Sequence, residues 1–338
     1  MKVLVTGAAG FIGSHLVEAL TGDGIEVVSL AQPGECLDNL HGTPCRIVFG
    51  DIRDRDALRT ALPGVDLVYH LAAISRFDRN VPDETYQAVN VEGTRNVLET
   101  ANEAGVRRVL FTATIEAVGM SSDGRPLTED SPQVPRNIYG ATKLAAENLV
   151  AGFRGRADLD TVVVRPPMTY GPREMLLHSR LFKVIAKGIY PLVGDGQALT
   201  EFCYVKNQVQ GIRLAAERGQ PGGIYFISDP RSYTIEEIVR AIASGMQVRV
   251  FTPHLPVPLA LTIGFGFELL SKLLPFYPFL IPQTGRPPFS RKTVAWTSQS
   301  RLFVDQTKAR RELGYEPRYD LAGGIRETIA WYRQRGVL

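Results

Sequence analysis

Short apolar runs alternate with amphipathic stretches along the first half of the chain. KVLVTG, EVVSL, RIVFG, LVYHLAA, RVLFTAT and TVVVRP have the length and β-branched content of strands. The segments opening near Phe11, spanning about Tyr86 to Ala104 and opening near Tyr139 carry helical patterning. Short strands separated by helices require crossover connections, which place helices on both faces of a parallel sheet. The expected fold is α/β, a doubly wound parallel sheet.

After Pro166 the rhythm degrades. PPMTYGP is turn-rich, PLVGDGQ reads as a strand entering a glycine turn, YVKNQVQGIRLAAERG is an amphipathic helix and GIYFIS is another strand. The closing ELGYEPRYDLAGGIRETIAWYRQRG is a turn followed by a helix. This predicts a sheet domain over 1–168, completed by about 204–227, and a smaller mixed lobe built from 169–203 and 228–338. No repeat or low-complexity tract interrupts it.

Composition narrows the function classes. With 338 residues, 44% hydrophobic and 22% charged, the chain is an ordinary globular one, larger than a single core. Its formal charge of +3 reads as small and evenly spread, which points away from nucleic acid. Cys36, Cys45 and Cys203 form no CxxC pair, so neither a disulfide framework nor a zinc or other metal site is expected, and a reducing cytoplasm fits. MKVLVTG turns straight into a strand without a secretory signal pattern. Leu255 to Ile281 is apolar but broken by prolines and by Glu268 and Lys272; it reads as the wall or core of the smaller lobe in preference to membrane contact, with no spanning segment.

TGAAGFIG places Gly7, Gly10 and Gly13 three apart, after a strand and at the head of a helix that begins Phe11-Ile12. That order is the phosphate-binding turn of a Rossmann fold, where the free N–H groups of a helix start attract a pyrophosphate. An acid at the end of the second strand would bond the adenosine ribose, and a base would accept a 2′-phosphate. Ala31 and Gln32 are neither, and no Lys or Arg falls between Ala31 and Pro44, so NAD is preferred to NADP. In GDIRD, Asp51 is placed to accept from an adenine amino group and Ile52 to pack on its ring; a plain strand-end turn fits equally.

YGATK sets Tyr139 and Lys143 on one helical face, one turn apart. An ammonium beside a phenol stabilises phenolate, which suits a tyrosine that exchanges a proton with a hydroxyl or carbonyl.

These strings together resemble the extended short-chain dehydrogenase/reductase family, the NAD-dependent epimerase/dehydratase superfamily. The resemblance runs through TGAAGFIG, GDIRD, HLAA, VNVEGT, FTATIEAVG, YGATK, RPPMTYGP, VGDGQALTEFCYV and DQTKARRELGYEP. It implies an NAD(P)-dependent enzyme in which Thr114, in preference to Thr112, holds the reacting oxygen beside Tyr139 and Lys143. It also implies that Leu71, Ala72 and Ala73 line the cofactor, with Gln32 and Thr112 at its edge, and that Asn90 braces the active-site helix. The backbone from Pro166 to Met168 would meet the nicotinamide amide, and a homodimer would form through the helices after Asn90 and around Tyr139.

Within the family, the string ALTEF has Thr200 where sugar-nucleotide enzymes carry a diphosphate-gripping arginine, and Glu201 beside it reads as repelling a diphosphate. Thr114-Ile115-Glu116 lacks the aspartate of the dehydratases, so Glu116 reads as a solvated or hydrogen-bonded glutamate in preference to a second acid/base, which stays open. YVKN and the apolar segment from Pro256 look more like the 3β-hydroxysteroid dehydrogenase branch. The expected activity is hydroxyl/ketone interconversion on a hydrophobic, steroid-like or alkyl keto substrate. The alternatives are a nucleotide-sugar 4-epimerase with held NAD, and a non-catalytic dinucleotide sensor, which would have no need of Thr114, Tyr139 and Lys143 together.

Overall fold

A computed structural model describes residues 1–75, 81–153, 159–273, 289–299 and 301–338. Seven strands form one parallel sheet: β1 (Lys2–Thr6), β2 (Glu26–Ala31), β3 (Arg46–Phe49), β4 (Leu67–His70), β5 (Arg108–Thr112), β6 (Asp160–Arg165) and β7 (Ile224–Phe226). Their order is β7-β6-β5-β4-β1-β2-β3, all neighbours parallel. The chain runs outward from β1 in one direction and then crosses over to run outward in the other. The carboxyl ends of β1 and β4 at this reversal are where an open α/β sheet leaves a crevice.

Helices cover both faces, because alternate residues of the near-continuous apolar strands point to opposite sides. One core lies under α1 (Phe11–Gly22) and takes Val3, Val5, Leu16, Leu20 and Tyr69. The other lies under α2 (Arg55–Ala61), α3 (Thr94–Glu103) and α4 (Ile138–Gly152), with Leu4, Val28, Val68, Val97, Val109 and Ala146. The approach to α3 is not the single helix the pattern suggested. A short α turn, Asp83–Tyr86, widens into a π-helical stretch, Gln87–Gly93, that carries Asn90.

The smaller lobe holds a separate core from α5 (His178–Ala186), α7 (Ile235–Met246) and the C-terminal part of the chain, with Phe182, Phe202, Tyr204, Ile238 and Ile325, while α6 (Val205–Arg218) packs Val209, Ile212 and Ala215 into the first sheet core. α7 begins on a capping box, Thr234 bonding the Glu237 amide and Glu237 bonding back to the Thr234 amide, so the helix start is fixed by sequence. The remaining helices are α8 (Val257–Leu273), α9 (Arg291–Gln299), α10 (Thr307–Leu313) and α11 (Leu321–Gln334). Between Phe202 and Phe226 the chain returns from the lobe to the sheet: Phe202–Tyr204 pairs with Met168–Tyr170, and β7 adds to β6. Of the stretch Leu255 to Ile281, read as wall or core of the lobe, Leu255, Val257 and Ala260 pack with Val193 and Val294. Val257–Leu273 is one helix whose large apolar side chains are mostly exposed, and 274–281 lies outside the described residues.

Candidate active site

β1 ends at Thr6 and the chain turns at Gly7 with φ +67°. A Cβ there would lie 2.8 Å from the Ala72 amide nitrogen, and one at Gly13 would lie 2.0 Å from the Gly7 carbonyl oxygen. The turn thus needs glycine both for its left-handed backbone and for the contact of strand end with helix start. Gly10 caps α1 with no side-chain hydrogen bond, so no capping side chain claims the amides of the first turn. Phe11 and Ile12 pack toward the lobe core, joining the two halves. His15, one turn on, donates Nε2–H to the Pro172 carbonyl at 2.9 Å, and burial lowers its pKa to about 4.

Beyond β2 the structure adds groups that the linear reading missed. The Glu35 carboxylate accepts the Gln32 backbone N–H at 2.9 Å, and the Gln32 side chain donates to Asp51 at 3.2 Å. Asp51 is bidentate to Arg53, whose hydrogen bonds hold its carboxyl below the ordinary range. The strand end therefore has two acids and one base around it. The sequence signal was present in the acid three residues past Gln32, one turn in length. Ile52 is only 3% exposed and sits beneath Gly93, so its side chain is committed to the core and its backbone is the part that remains for a ring.

Behind this turn runs a one-way hydrogen-bond chain. The Thr94 hydroxyl donates to the Asn90 carbonyl at 2.7 Å, so it accepts from His70 Nε2 at 3.0 Å. Nε2 therefore carries the proton, and Nδ1 accepts from the Thr6 hydroxyl at 2.7 Å, whose oxygen also accepts the Ala72 amide. Burial, aided by the nearby Lys143 charge, holds the His70 pKa down to about 3, which keeps the ring in this neutral tautomer. Leu71, Ala72 and Ala73, all half-buried, continue from β4 alongside the glycine turn. Asn90 bonds both the N–H and the C=O of Ile74 and donates to the Thr142 hydroxyl, which in turn donates to the Tyr139 carbonyl. The β4 exit and the helix bearing Tyr139 and Lys143 are tied through one side chain.

Thr114 ends the β5 region and caps a 3₁₀ turn, Ile115–Ala117, accepting the Glu116 amide through its hydroxyl oxygen. That bond leaves the hydroxyl proton available to another acceptor. The Glu116 carboxylate accepts from Asn137, whose own oxygen caps α4 at the Gly140 amide. A Cβ on Gly140 would meet the Glu116 carbonyl at 2.6 Å, so the first turn of α4, carrying Tyr139, lies directly against the turn that Thr114 caps. Thr112 is buried and its hydroxyl has no partner among the described residues. The Pro166 carbonyl accepts the Ile115 amide at 2.9 Å, extending the β5–β6 ladder, while the Pro167 carbonyl accepts from the Thr169 hydroxyl and Met168 opens the short strand that pairs with Phe202–Tyr204.

Lys143 is 2% exposed, with its amine 4.2 Å from the centroid of the Phe111 ring. Burial lowers its pKa from 10.5 to about 7, against the pull of Glu147 toward the charged form. An unfolded chain holds this proton up to the ordinary value, so between pH 7 and 10.5 unfolding takes up a proton and stability rises with pH. Measured without added dinucleotide, Lys143→Met should therefore melt above the unsubstituted protein at pH 7, with the gap closing toward pH 10. A gap that stays constant over that range would contradict the lowered value.

Two residues behave differently from their sequence reading. Glu201 is fully buried, accepting from Ser228 at 2.5 Å, from Ser232, and from the Val304 amide at 3.0 Å. It is a tie between lobe segments and does not face a ligand, so its charge repels nothing there. Thr200 beside it is 1% exposed. Among the described residues no three of His, Cys, Asp and Glu gather as metal ligands, and no helix is long and apolar enough to cross a membrane.

Residues 3–228 match the model of the NAD dependent epimerase/dehydratase family. The chain belongs to that family. Members similar over nearly the whole length include a 4-hydroxy-2-methyl-3-oxo-4-farnesyl-3,4-dihydroquinoline-1-oxide ketoreductase of Stigmatella aurantiaca, 30% identical over 96% of this chain and 95% of that one. Another is a 3 beta-hydroxysteroid dehydrogenase/Delta 5-->4-isomerase of Mycobacterium tuberculosis, 30% identical over 98% of this chain and 90% of that protein. Among solved structures, a dTDP-glucose 4,6-dehydratase of Streptomyces venezuelae with NAD bound superposes with a TM-score of 0.77 at 29% identity, covering 99% and 98% of the two chains. This epimerase/dehydratase-family chain is thus an NAD(P)-dependent enzyme of the short-chain dehydrogenase/reductase type. Its own residues fit the dinucleotide: a turn that tolerates no Cβ, uncapped helix amides, an unpartnered Thr112 hydroxyl and a buried amine.

Proposed function

We propose that this enzyme interconverts a hydroxyl and a ketone on a hydrophobic substrate, with freely exchanging NAD(H). The observation that carries the reading is the burial of Thr200 and Glu201: the string after the GDG turn offers no cation to a sugar-nucleotide diphosphate. The full-length similarity to a ketoreductase and a hydroxysteroid dehydrogenase supports it.

When bound, the nicotinamide supplies or accepts the hydride. Thr114 orients the reacting oxygen, Tyr139 passes it a proton or takes one, and Lys143 stabilises the phenolate and holds the nicotinamide ribose. Asn90 fixes the helix that carries both. The glycine turn and α1 receive the pyrophosphate, and residues 71–73 line its path. Residues 1–168 with 204–227 serve as the dinucleotide domain and the remainder as the substrate lobe. The outward Leu144, Ala145 and Asn148 of α4, together with α3, make the surface on which two copies pair, and the three free cysteines fit a reducing cytoplasm.

The test is nicotinamide absorbance with NADH and NADPH added separately to hydrophobic ketones and, in parallel, to uridine- and guanosine-diphosphate sugars, with products identified by mass spectrometry. Consumption with a ketone supports the proposal; a rearranged sugar nucleotide with no net consumption replaces it with the epimerase. NADH should outperform NADPH, because Glu35 and Asp51 outweigh Arg53 beside the ribose position. Glu35→Gln should narrow that preference by about tenfold, equivalent to about 1.4 kcal/mol. An unchanged ratio would remove Glu35 from ribose recognition.

A further inference from the structure

The stretch between β6 and α5 is tied down at both ends. At its start the Pro166 carbonyl bonds the Ile115 amide, beside the turn that Thr114 caps. Met168–Tyr170 then pairs with Phe202–Tyr204. At its end the Pro172 carbonyl takes the Nε2–H of His15, on α1, at 2.9 Å. In the sheet order β5 and β4 lie between β6 and β1, the strand that feeds α1, so residues 166–172 cross the carboxyl edge of the sheet along its crevice. Tyr139 and Lys143 stand on α4, which packs on the opposite face of the sheet from α1. A dinucleotide with its pyrophosphate at the start of α1 and its nicotinamide at Lys143 runs between this segment and α4.

The α1 end of the segment is built for one fixed position. Arg173 takes a left-handed backbone, φ +72°, which is costly for a residue with a Cβ and persists only where the surroundings impose it. A Cβ on Gly171 would lie 2.5 Å from Cγ1 of Val205, so the turn is pressed against α6. The Glu174 carboxylate takes the amides of Leu176, Leu177 and His178, which starts α5 at once. Two side chains of α1 reach this turn. Glu18 accepts from Arg173 at 2.6 Å, but it is 57% exposed, and such pairs contribute little. The weight therefore falls on His15, which is buried with its ring edge-to-face on Phe11.

We propose that His15 is a positioning residue for hydride transfer: through Pro172 it fixes segment 166–172 against α1, and so sets the wall on which the nicotinamide ring rests. This rests on the part of the proposed function that puts the nicotinamide beside Lys143, and on no particular substrate.

The test compares NADH with ADP-ribose, which keeps the pyrophosphate and lacks the nicotinamide, by calorimetric titration of the full-length protein. His15→Phe keeps a ring on Phe11 and removes the donor, whereas His15→Gln returns an N–H close to the place of Nε2. His15→Phe should weaken NADH about tenfold and ADP-ribose by less than about twofold, and His15→Gln should bring NADH back to within about threefold of the parent. A merely structural role would weaken both ligands together. Equal weakening of the two, unchanged NADH affinity in His15→Phe, or a His15→Gln that behaves as His15→Phe overturns the proposal. His15→Met, unbranched and adaptable, is the second donor-free variant and takes the place of His15→Phe if that chain does not fold. If neither folds, His15 maintains the fold as such and the proposal is overturned. No ketone enters the titrations, so a failure of the hydroxyl/ketone reading leaves their outcome unaffected.

Discussion

Tyr139→Phe is expected to lose about a hundred- to ten-thousand-fold in kcat, the range of a general acid/base, while NADH affinity stays within about threefold. The substitution removes one oxygen and leaves untouched the ties that hold its helix: the Asn137 cap, the Asn90–Thr142 bond and the contact of Gly140 with Glu116. Fluorescence titration with NADH and turnover on the same preparation separate the two effects. Retained turnover would end the assignment of Tyr139 as the proton carrier. A parallel loss of affinity would mean that the ring positions the cofactor instead.

Arg165→Met is expected to destabilise the fold by about 3–5 kcal/mol, because it strands a carboxylate in the interior. The Arg165 side chain is fully buried and bidentate to Glu147, 3% exposed, with bonds of 2.5 and 3.1 Å, and it also donates to the Glu129 carbonyl. The pair joins β6 to α4 one turn beyond Lys143. Urea unfolding at pH 7 measures the cost, and adding Glu147→Leu should recover most of it by removing the unpaired charge. A single variant that costs less than about 1 kcal/mol would show that water or another cation reaches Glu147.

Much of this architecture can be read from the sequence for physical reasons. Strand and helix periods differ, and the glycine turn has to follow β1 directly, so TGAAGFIG and the six apolar runs place the sheet and its phosphate-binding end. The tyrosine and lysine of YGATK share a helical face because their spacing is close to one turn. What escaped the sequence depends on direction or distance. Nothing in ALTEF says that Glu201 points inward to Ser228 and Ser232 and away from a ligand. His70 reads as part of a family string, but its tautomer follows only from partners 64 and 24 residues away. Glu35 returns to Gln32 through a turn that the search for an acid at the strand end stopped short of.

The return of the chain from the lobe to β7 has a consequence for how the protein is made. Until about residue 226 has left the ribosome, β6 is the outermost strand of the nascent sheet, with a row of unpaired N–H and C=O groups facing the cell. Roughly sixty residues separate the two strands, which at ordinary elongation rates is on the order of several seconds of exposure. α6 arrives in the same interval and covers Val162 and Val164 from one face. Truncations that end within the smaller lobe before β7 should therefore be sticky and dependent on chaperones. Genetic separation of the lobes, by contrast, would have to cut the chain in several places to free either one.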